Sequence, residues 1–395
     1  MLALAAELGL ETFLTYDTGD NILYHNGAVT RFTGDTSTSL PPVNPLSLAQ
    51  VGIAEFTLDQ WASQINVSAP WSHPQAAEWD SQTLQDFTNG FAGLPDSQFL
   101  LNLVSAEVFS ADMDGPSLLY ALAYIASAGN QTEVGTLERL TGVKNSGQES
   151  RIVGGTQLLA IKLADKLGLD NIKFNSPVSS VQLEDGVYNV TTTGGQSFYG
   201  RHAVIAMSPP MAGRITYDPI VPPARDHITQ SMPMGSIGKA IAVYDTPFWR
   251  DMGLNGQVLS DSGYIRSTFD SSPPDASFGA MMGFLQTDQI RELDEKTIPE
   301  VEDAAMQDLV KYFGPQAANV TYWGIQRWDL EEYSRGGPVA YAPPGVLTEY
   351  GALGLREPFG KLHFAGTETS IYWTGYMDGA IRSGERTAAE ILADF

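Results

Sequence analysis

One stretch near the C-terminus concentrates residue types that suit an electron-rich ligand. It runs Leu362-His363-Phe364-Ala365-Gly366-Thr367-Glu368-Thr369-Ser370 and continues through Ile371-Tyr372-Trp373-Thr374-Gly375-Tyr376-Met377-Asp378-Gly379. A buried strand is predicted to end at Gly366-Thr367, a loop to deliver aromatic side chains, and a helix to follow. The first turn of such a helix has free N–H groups and a positive dipole end, a site for an anion or an electron-rich carbonyl. Gly375, Gly379 and Gly384 let something pack close to the backbone. The plain alternative is a strand, loop and helix that merely close a domain. Lys239 is a second candidate. It is the one charge in Ile237-Gly238-Lys239-Ala240-Ile241-Ala242-Val243, so it either leaves the strand on an exposed face or points inward for a reason. His25, His73, His202, His227 and His363 form no metal-ligand spacing. Ser, His and Asp residues are too scattered for a hydrolase triad.

The elements that must position these residues are partly legible. Ile22-Leu23-Tyr24-His25-Asn26-Gly27-Ala28-Val29 reads as a hairpin with an Asn-Gly turn. Residues 46–142 read as largely helical, with helix starts at Asp80-Ser81-Gln82-Thr83 and Asp114-Gly115-Pro116. Residues 151–210 change character. A helix is predicted over 158–168 and strands near 172–174, 178–183, 188–192 and 203–207. Further on, strands are expected over 237–243, 278–283 and 362–365, and helices over 301–313 and 376–392. Strand-rich and helical pieces interleave, which predicts two discontinuous domains with a ligand between them.

Composition narrows the function. The chain has 395 residues, 43% of them hydrophobic, so a large core is available. It carries 46 acidic against 22 basic residues, a net charge of −24, which disfavours phosphate backbones and anionic lipid. Nucleic-acid and membrane partners are therefore not expected. There is no cysteine, so thiolate nucleophiles, disulfides and cysteine-linked cofactors are excluded. No apolar run is long enough for a membrane span. A cytoplasmic or otherwise soluble protein without an anchor is expected.

The C-terminal stretch resembles the FAD motif of the flavin-dependent monoamine oxidase family. So do Ser334-Arg335-Gly336-Gly337-Pro338, Gly235-Ser236-Ile237-Gly238-Lys239, Gly147-Gln148-Glu149-Ser150-Arg151 and Ala69-Pro70-Trp71 with Glu78-Trp79-Asp80, in family order over essentially the whole chain. The resemblance implies an α/β, two-domain FAD-dependent amine oxidase fold: an incomplete Rossmann-like FAD domain and a mixed sheet-and-helix substrate domain. It assigns residues 1–12, 153–228 and 332–395 to the FAD-binding domain, and 13–152 and 229–331 to the substrate domain. Gly366, Thr367 and Glu368 would lie along the FAD ribityl and pyrophosphate. Gly375 would sit in the motif's loop, and the Met377 amide would donate to the flavin pyrimidine carbonyl. Val178 would hold the adenine and Trp328 would pack by the isoalloxazine. Lys239 would reach flavin N5 through a water, and together with Tyr376 it is the catalytic pair. Gln148, Pro338 and Tyr376 would line the amine pocket.

The departures from the family carry expectations of their own. The family's cysteine position is Gly337, so the FAD would be non-covalent. One tyrosine of the family's aromatic cage is Pro338. No Gly-x-Gly-x-x-Gly pyrophosphate loop is present, so the sequence reads as an N-terminally truncated member with weakened FAD binding. The implied reaction converts a primary monoamine to an imine, then aldehyde and ammonia, while oxygen becomes hydrogen peroxide. Amine and oxygen would be its small-molecule partners, and a homodimer is left open. Uncharged-tail amines are expected to be preferred, because no arginine or carboxylate is matched to the pocket. An L-amino-acid or polyamine oxidase, with Arg335 or Glu349 as the charges to place, stays open, as does a non-catalytic flavoprotein remnant.

Overall fold

The computed structural model describes residues 1–34 and 40–395. Its largest sheet has seven strands, in the order Tyr322–Arg327, Ile237–Tyr244, Gly279–Gln286, Ile265–Asp270, Leu254–Ser260, Asp20–His25 and Ala28–Thr33. The edge hairpin turns at Asn26 and Gly27, whose φ of 52° and 77° match the left-handed two-residue turn that Asn-Gly favours. This hairpin joins the rest through a parallel pairing of Asp20–His25 with Leu254–Ser260. The helix Ile298–Phe313 covers one face of the sheet. It opens with a reciprocal Thr297–Glu300 capping box and packs Val301, Ala305 and Leu309 with Ala240 and Ala242. Side chains alternate along a strand, so Lys239, Ile241 and Val243 occupy the opposite, half-buried face.

A helical layer holds Pro45–Ala62, Pro95–Phe109 and Leu118–Ser127. Leu118, Leu119 and Leu122 are fully buried, and Val339, Ala340 and Leu355 join the same core from much later in the chain. Asp80 ties the layer together. Its buried carboxylate accepts from Ser117 Oγ at 2.7 Å and from the Thr348 amide and hydroxyl at 2.8 and 2.7 Å. The third layer pairs Ala203–Ala206 in parallel with Leu362–Ala365, and the helix Met377–Leu392 packs back on it. A separate sheet of four strands runs Ser197–Gly200, Val187–Thr192, Val178–Glu184 and Thr216–Asp218. Among the described residues, no helix is long and apolar enough to cross a membrane.

Several expected elements shift. No strand forms at 172–174. Phe174 is 65% exposed, and the segment lies between a 3₁₀ turn over Leu169–Asn171 and Asn175 at φ 54°, so it pairs with no neighbour. The helix expected to start within Asp80–Thr83 is capped at Thr83, and the one expected at Asp114–Pro116 moves to Ser117; the two hydroxyls cap the Asp86 and Tyr120 amides.

Candidate active site

The strand Leu362–Ala365 is buried along its whole length and ends at Gly366, φ 110°. A Cβ there would come within 3.0 Å of the Met207 carbonyl oxygen, so only glycine fits. The Thr367 hydroxyl then donates to the Tyr376 carbonyl at 3.0 Å and closes the aromatic loop. The helix begins at Met377 with no side-chain cap, which leaves its first amides for another acceptor. Met377 itself is exposed. Gly375 packs against Tyr124, whose hydroxyl would lie 2.0 Å from any Cβ.

Glu368 turns its side chain inward. Its side chain is buried, and Oε1 accepts from the Ala340 amide at 3.0 Å. Burial raises its pKa, with that amide and Arg225 acting against the rise. The carboxylate therefore anchors the loop after Pro338. Arg335 and Glu349 are both exposed, and Arg335 spends its guanidinium on the Leu330 carbonyl. Neither supplies a pocket charge.

Lys239 lies opposite Phe284 and Gln326 on the neighbouring strands. Its Nζ sits 5.4 Å from the Phe284 ring centre, and it has no ion pair among the described residues. Burial, then the nearby Arg151 guanidinium, push its pKa below the ordinary lysine range. Its half-buried place in the strand disfavours the exposed-face alternative. Trp328 follows the edge strand. Its amide donates to Ile237 and its carbonyl accepts from Gly336, which brings the Gly337–Pro338 segment alongside the lysine strand. Pro338 is exposed, whereas Gly336, Gly337 and Val339 are buried.

Gln148 and Tyr376 converge. The Tyr376 hydroxyl donates to the Leu140 carbonyl at 2.9 Å, and Gln148 Nε2 approaches the same oxygen at 3.4 Å. Burial raises the Tyr376 pKa, and Gln148 opposes the rise. The Thr15 hydroxyl links this corner to the sheet. It donates to the Gln148 carbonyl and accepts from Arg151, which also reaches Ser271 at 3.1 Å. Arg151 is the cation whose charge acts on Lys239. Lys239, Arg151, Gln148 and Tyr376 thus form one connected cluster. Val178 begins a strand of the four-stranded sheet, pairs with Thr192, and packs against the core that holds Val181 and Phe364, apart from this cluster's hydrogen bonds.

Sequence reasoning missed Glu107. It sits in the last turn of Pro95–Phe109, in the largely apolar run Leu103-Val104-Ser105-Ala106-Glu107-Val108-Phe109. Burial raises its pKa to about 7, the neighbouring Ser267 opposes the rise, and no cation acts on it. Its charge adds to the rise of the Tyr376 pKa. The missed signal was one acidic residue among apolar neighbours at a helix end. The raised pKa carries a prediction. The folded protein holds the Glu107 proton to higher pH than the unfolded chain, so stability falls as pH rises from about 4.3 toward 7. Melting temperatures taken across that range should show this decline reduced in Glu107→Gln; equal slopes would contradict it.

The sequence pattern of flavin containing amine oxidoreductases matches residues 1–392. The chain belongs to that family. It is 32% identical over 396 residues to amine oxidase [flavin-containing] B of Sus scrofa, covering 99% of this chain and 74% of that one. Cyclohexylamine oxidase from Brevibacterium oxydans IH-35A superposes with a TM-score of 0.91 at 31% identity, over 100% of this chain and 84% of that one. A wild-type putrescine oxidase bound to putrescine gives 0.90 at 28% identity, over 99% and 85%. The chain is thus a flavin-dependent amine oxidase of α/β two-domain fold, and its cofactor is FAD. The residues present fit the flavin end of that cofactor. Gly366 leaves room at the strand end, the helix from Met377 offers uncapped amides, and Lys239 is a half-buried cation with no ion pair among the described residues.

Proposed function

We propose that this amine oxidase acts on neutral primary amines, monoamines included, giving an imine that water hydrolyses to an aldehyde and ammonia. Oxygen takes up the two electrons and two protons as hydrogen peroxide. Bound FAD, held non-covalently in this cysteine-free chain, supplies the two-electron acceptor and passes the electrons to oxygen. The chain's own residues do the rest. Tyr376 offers an aromatic wall whose hydroxyl is fixed on the Leu140 carbonyl, so the ring is oriented before the amine arrives. Gln148 adds a neutral polar edge beside it. Lys239 and Arg151 make the sheet side of the cluster positive, which disfavours an ammonium and favours the neutral amine there. Met377 and its helix start would face the flavin carbonyls, Val178 the adenine, Trp328 the ring edge, and Pro338 the amine pocket.

The observation that carries this reading is the convergence of Tyr376, Gln148 and Lys239, which has no ion pair among the described residues. Cyclohexylamine and putrescine, named in two of the relatives, are both primary amines. The test is peroxide release by the FAD-loaded protein with benzylamine, butylamine and an L-amino acid. Benzylamine or butylamine should be oxidised faster than the amino acid, and acid denaturation should free the flavin. Preference for the amino acid, or flavin retained on the denatured chain, would refute the corresponding half.

A further inference from the structure

Arg151 is a half-buried guanidinium with no ion pair among the described residues. The neighbouring carboxylate of Asp270 is engaged elsewhere. It accepts two hydrogen bonds from Arg250, at 2.7 and 3.0 Å, and one from the Trp249 indole at 2.8 Å. Withdrawing a charge from water without a counter-charge costs free energy, so such a charge normally has compensating hydrogen bonds. The donors of Arg151 span two hydroxyls. Nε donates to Thr15 Oγ1 at 3.3 Å, and Nη1 to Ser271 Oγ at 3.1 Å. The two hydroxyls belong to different parts of the fold. Ser271 follows the strand Ile265–Asp270 of the seven-stranded sheet. Thr15 follows Thr12–Leu14, which pairs antiparallel with Ser150–Ile152 and sets Phe13 opposite Arg151.

We propose that Arg151 is a positioning residue for the amine: through the Thr15 hydroxyl it fixes the Gln148 peptide and so aims the Gln148 side chain. The inference rests on the amine-oxidase reading above and deepens it by naming what orients one wall of its pocket. The chemistry of the hydroxyl sets the direction. Thr15 is only 8% exposed, so its hydroxyl has little water to bond. A hydroxyl has one proton to give and accepts on its lone pairs, whereas a guanidinium only donates. Thr15 therefore accepts from Arg151, and its single proton goes to the Gln148 carbonyl at 2.7 Å. The Thr15 amide adds a bond to the Glu149 carbonyl at 2.8 Å. From the other side the Gln148 amide donates to the Gly142 carbonyl at 3.3 Å. With the backbone held on both sides, only the side chain of Gln148 stays free to turn. Its Nε2 lies 3.4 Å from the Leu140 carbonyl that also anchors the Tyr376 hydroxyl. A wall set before the amine arrives loses less conformational freedom on binding and holds the amine in one orientation. A lysine at 151 would bring a point charge on a flexible stem and could not present the same fork of donors.

The experiment follows both half-reactions of the FAD-loaded protein with benzylamine. Thr15→Val keeps the shape of the side chain and removes its hydroxyl. It should slow the amine-driven half-reaction by about tenfold and leave the oxygen-driven one within about twofold. Thr15→Ser keeps the hydroxyl and should stay within about twofold of the unaltered protein in both. Arg151→Lys keeps the charge but not the fork, and its amine-driven half-reaction should slow about as much as that of Thr15→Val. A merely structural role predicts losses that follow melting temperature and persist whatever stands at position 148. A double-mutant cycle with Gln148→Ala separates the two. In that background Thr15→Val should cost less than about twofold more, because the side chain it aims is gone. Additive losses, or full activity in Thr15→Val or Arg151→Lys, would overturn the proposal. Should Thr15→Val not fold, Arg151→Lys takes its place in the cycle. If neither benzylamine nor butylamine were oxidised by the unaltered protein, the amine-oxidase reading would fail. The melting shift induced by benzylamine would then decide about Arg151. A shift weakened in Thr15→Val and kept in Thr15→Ser supports the positioning role, and equal or absent shifts overturn it.

Discussion

Lys239→Met should leave FAD bound and slow either the amine-driven or the oxygen-driven half-reaction by about tenfold or more, roughly 1.4 kcal/mol. Methionine keeps the length and most of the volume of the side chain and removes its charge. That charge stands over Phe284, on the half-buried face of its strand, and no carboxylate among the described residues pairs with it. In so poorly hydrated a place a fixed positive charge acts strongly on any negative charge that develops nearby, and it is already oriented when it does. The pH dependence has a definite sign. Because the Lys239 pKa is lowered, the ammonium loses its proton below the ordinary lysine range. The rate advantage over the methionine variant should shrink as pH rises through that lowered value. Stability should move the other way. The unfolded chain binds the Lys239 proton more readily than the folded one, so holding the charge opposes folding at neutral pH. The variant should melt no lower than the unaltered protein at pH 7. Stopped-flow traces of both half-reactions provide the check. Unchanged rates in each would make Lys239 a spectator.

Gly235→Ala should destabilise the fold by about 3 kcal/mol or more. A Cβ at Gly235 would lie 2.1 Å from the Phe109 carbonyl oxygen and 2.5 Å from that of Gly337. Both obstacles are backbone, so no side-chain rotation relieves them. Three site-bearing segments meet there: the end of the Glu107 helix, the Gly337–Pro338 loop and the start of the Lys239 strand. Gly235 is hydrogen-bonded to Val339 and Gly337, which locks its position further. The expected result is a large fall in melting temperature, together with loss of FAD retention as the segments separate. Gly384→Ala is the matched control. That glycine lies inside the helix Met377–Leu392 with open space at its Cβ position, and alanine there should stabilise by about 0.5–1 kcal/mol. Equal melting temperatures for the two variants would mean that the crowding at Gly235 relaxes away.

What the sequence made legible follows a physical divide. The strand Leu362–Ala365 and the helix after it were readable because a short apolar run met a glycine, and because the helix repeats its apolar positions over several turns. The Asn26-Gly27 hairpin was readable because its turn chemistry is local. Lys239, Gln148 and Tyr376 were picked out by resemblance to a family, and the structure brings them into one neighbourhood. The segment 172–174 was misread because a run of three residues says nothing about whether a neighbour exists to pair with. Glu368 was matched only by its place in the motif, while its side-chain direction is set by the distant Ala340 amide. Glu107 was invisible for the same reason. A single acidic residue in an apolar helix is unremarkable until Ser267, some 160 positions later, is placed against it.

The seven-stranded sheet has a consequence for how the protein is made. Its edge hairpin, Asp20–Thr33, is docked by Leu254–Ser260, which leaves the ribosome more than two hundred residues later. Throughout that interval the nascent hairpin carries an open edge with Ile22 and Leu23, both fully buried in the finished fold, still in water. Pairings between such distant residues form slowly, since a long loop must close before they contribute. Translation pauses or shortage of chaperones during that window should therefore divert more chains to aggregates than any comparable delay after Ser260 has emerged.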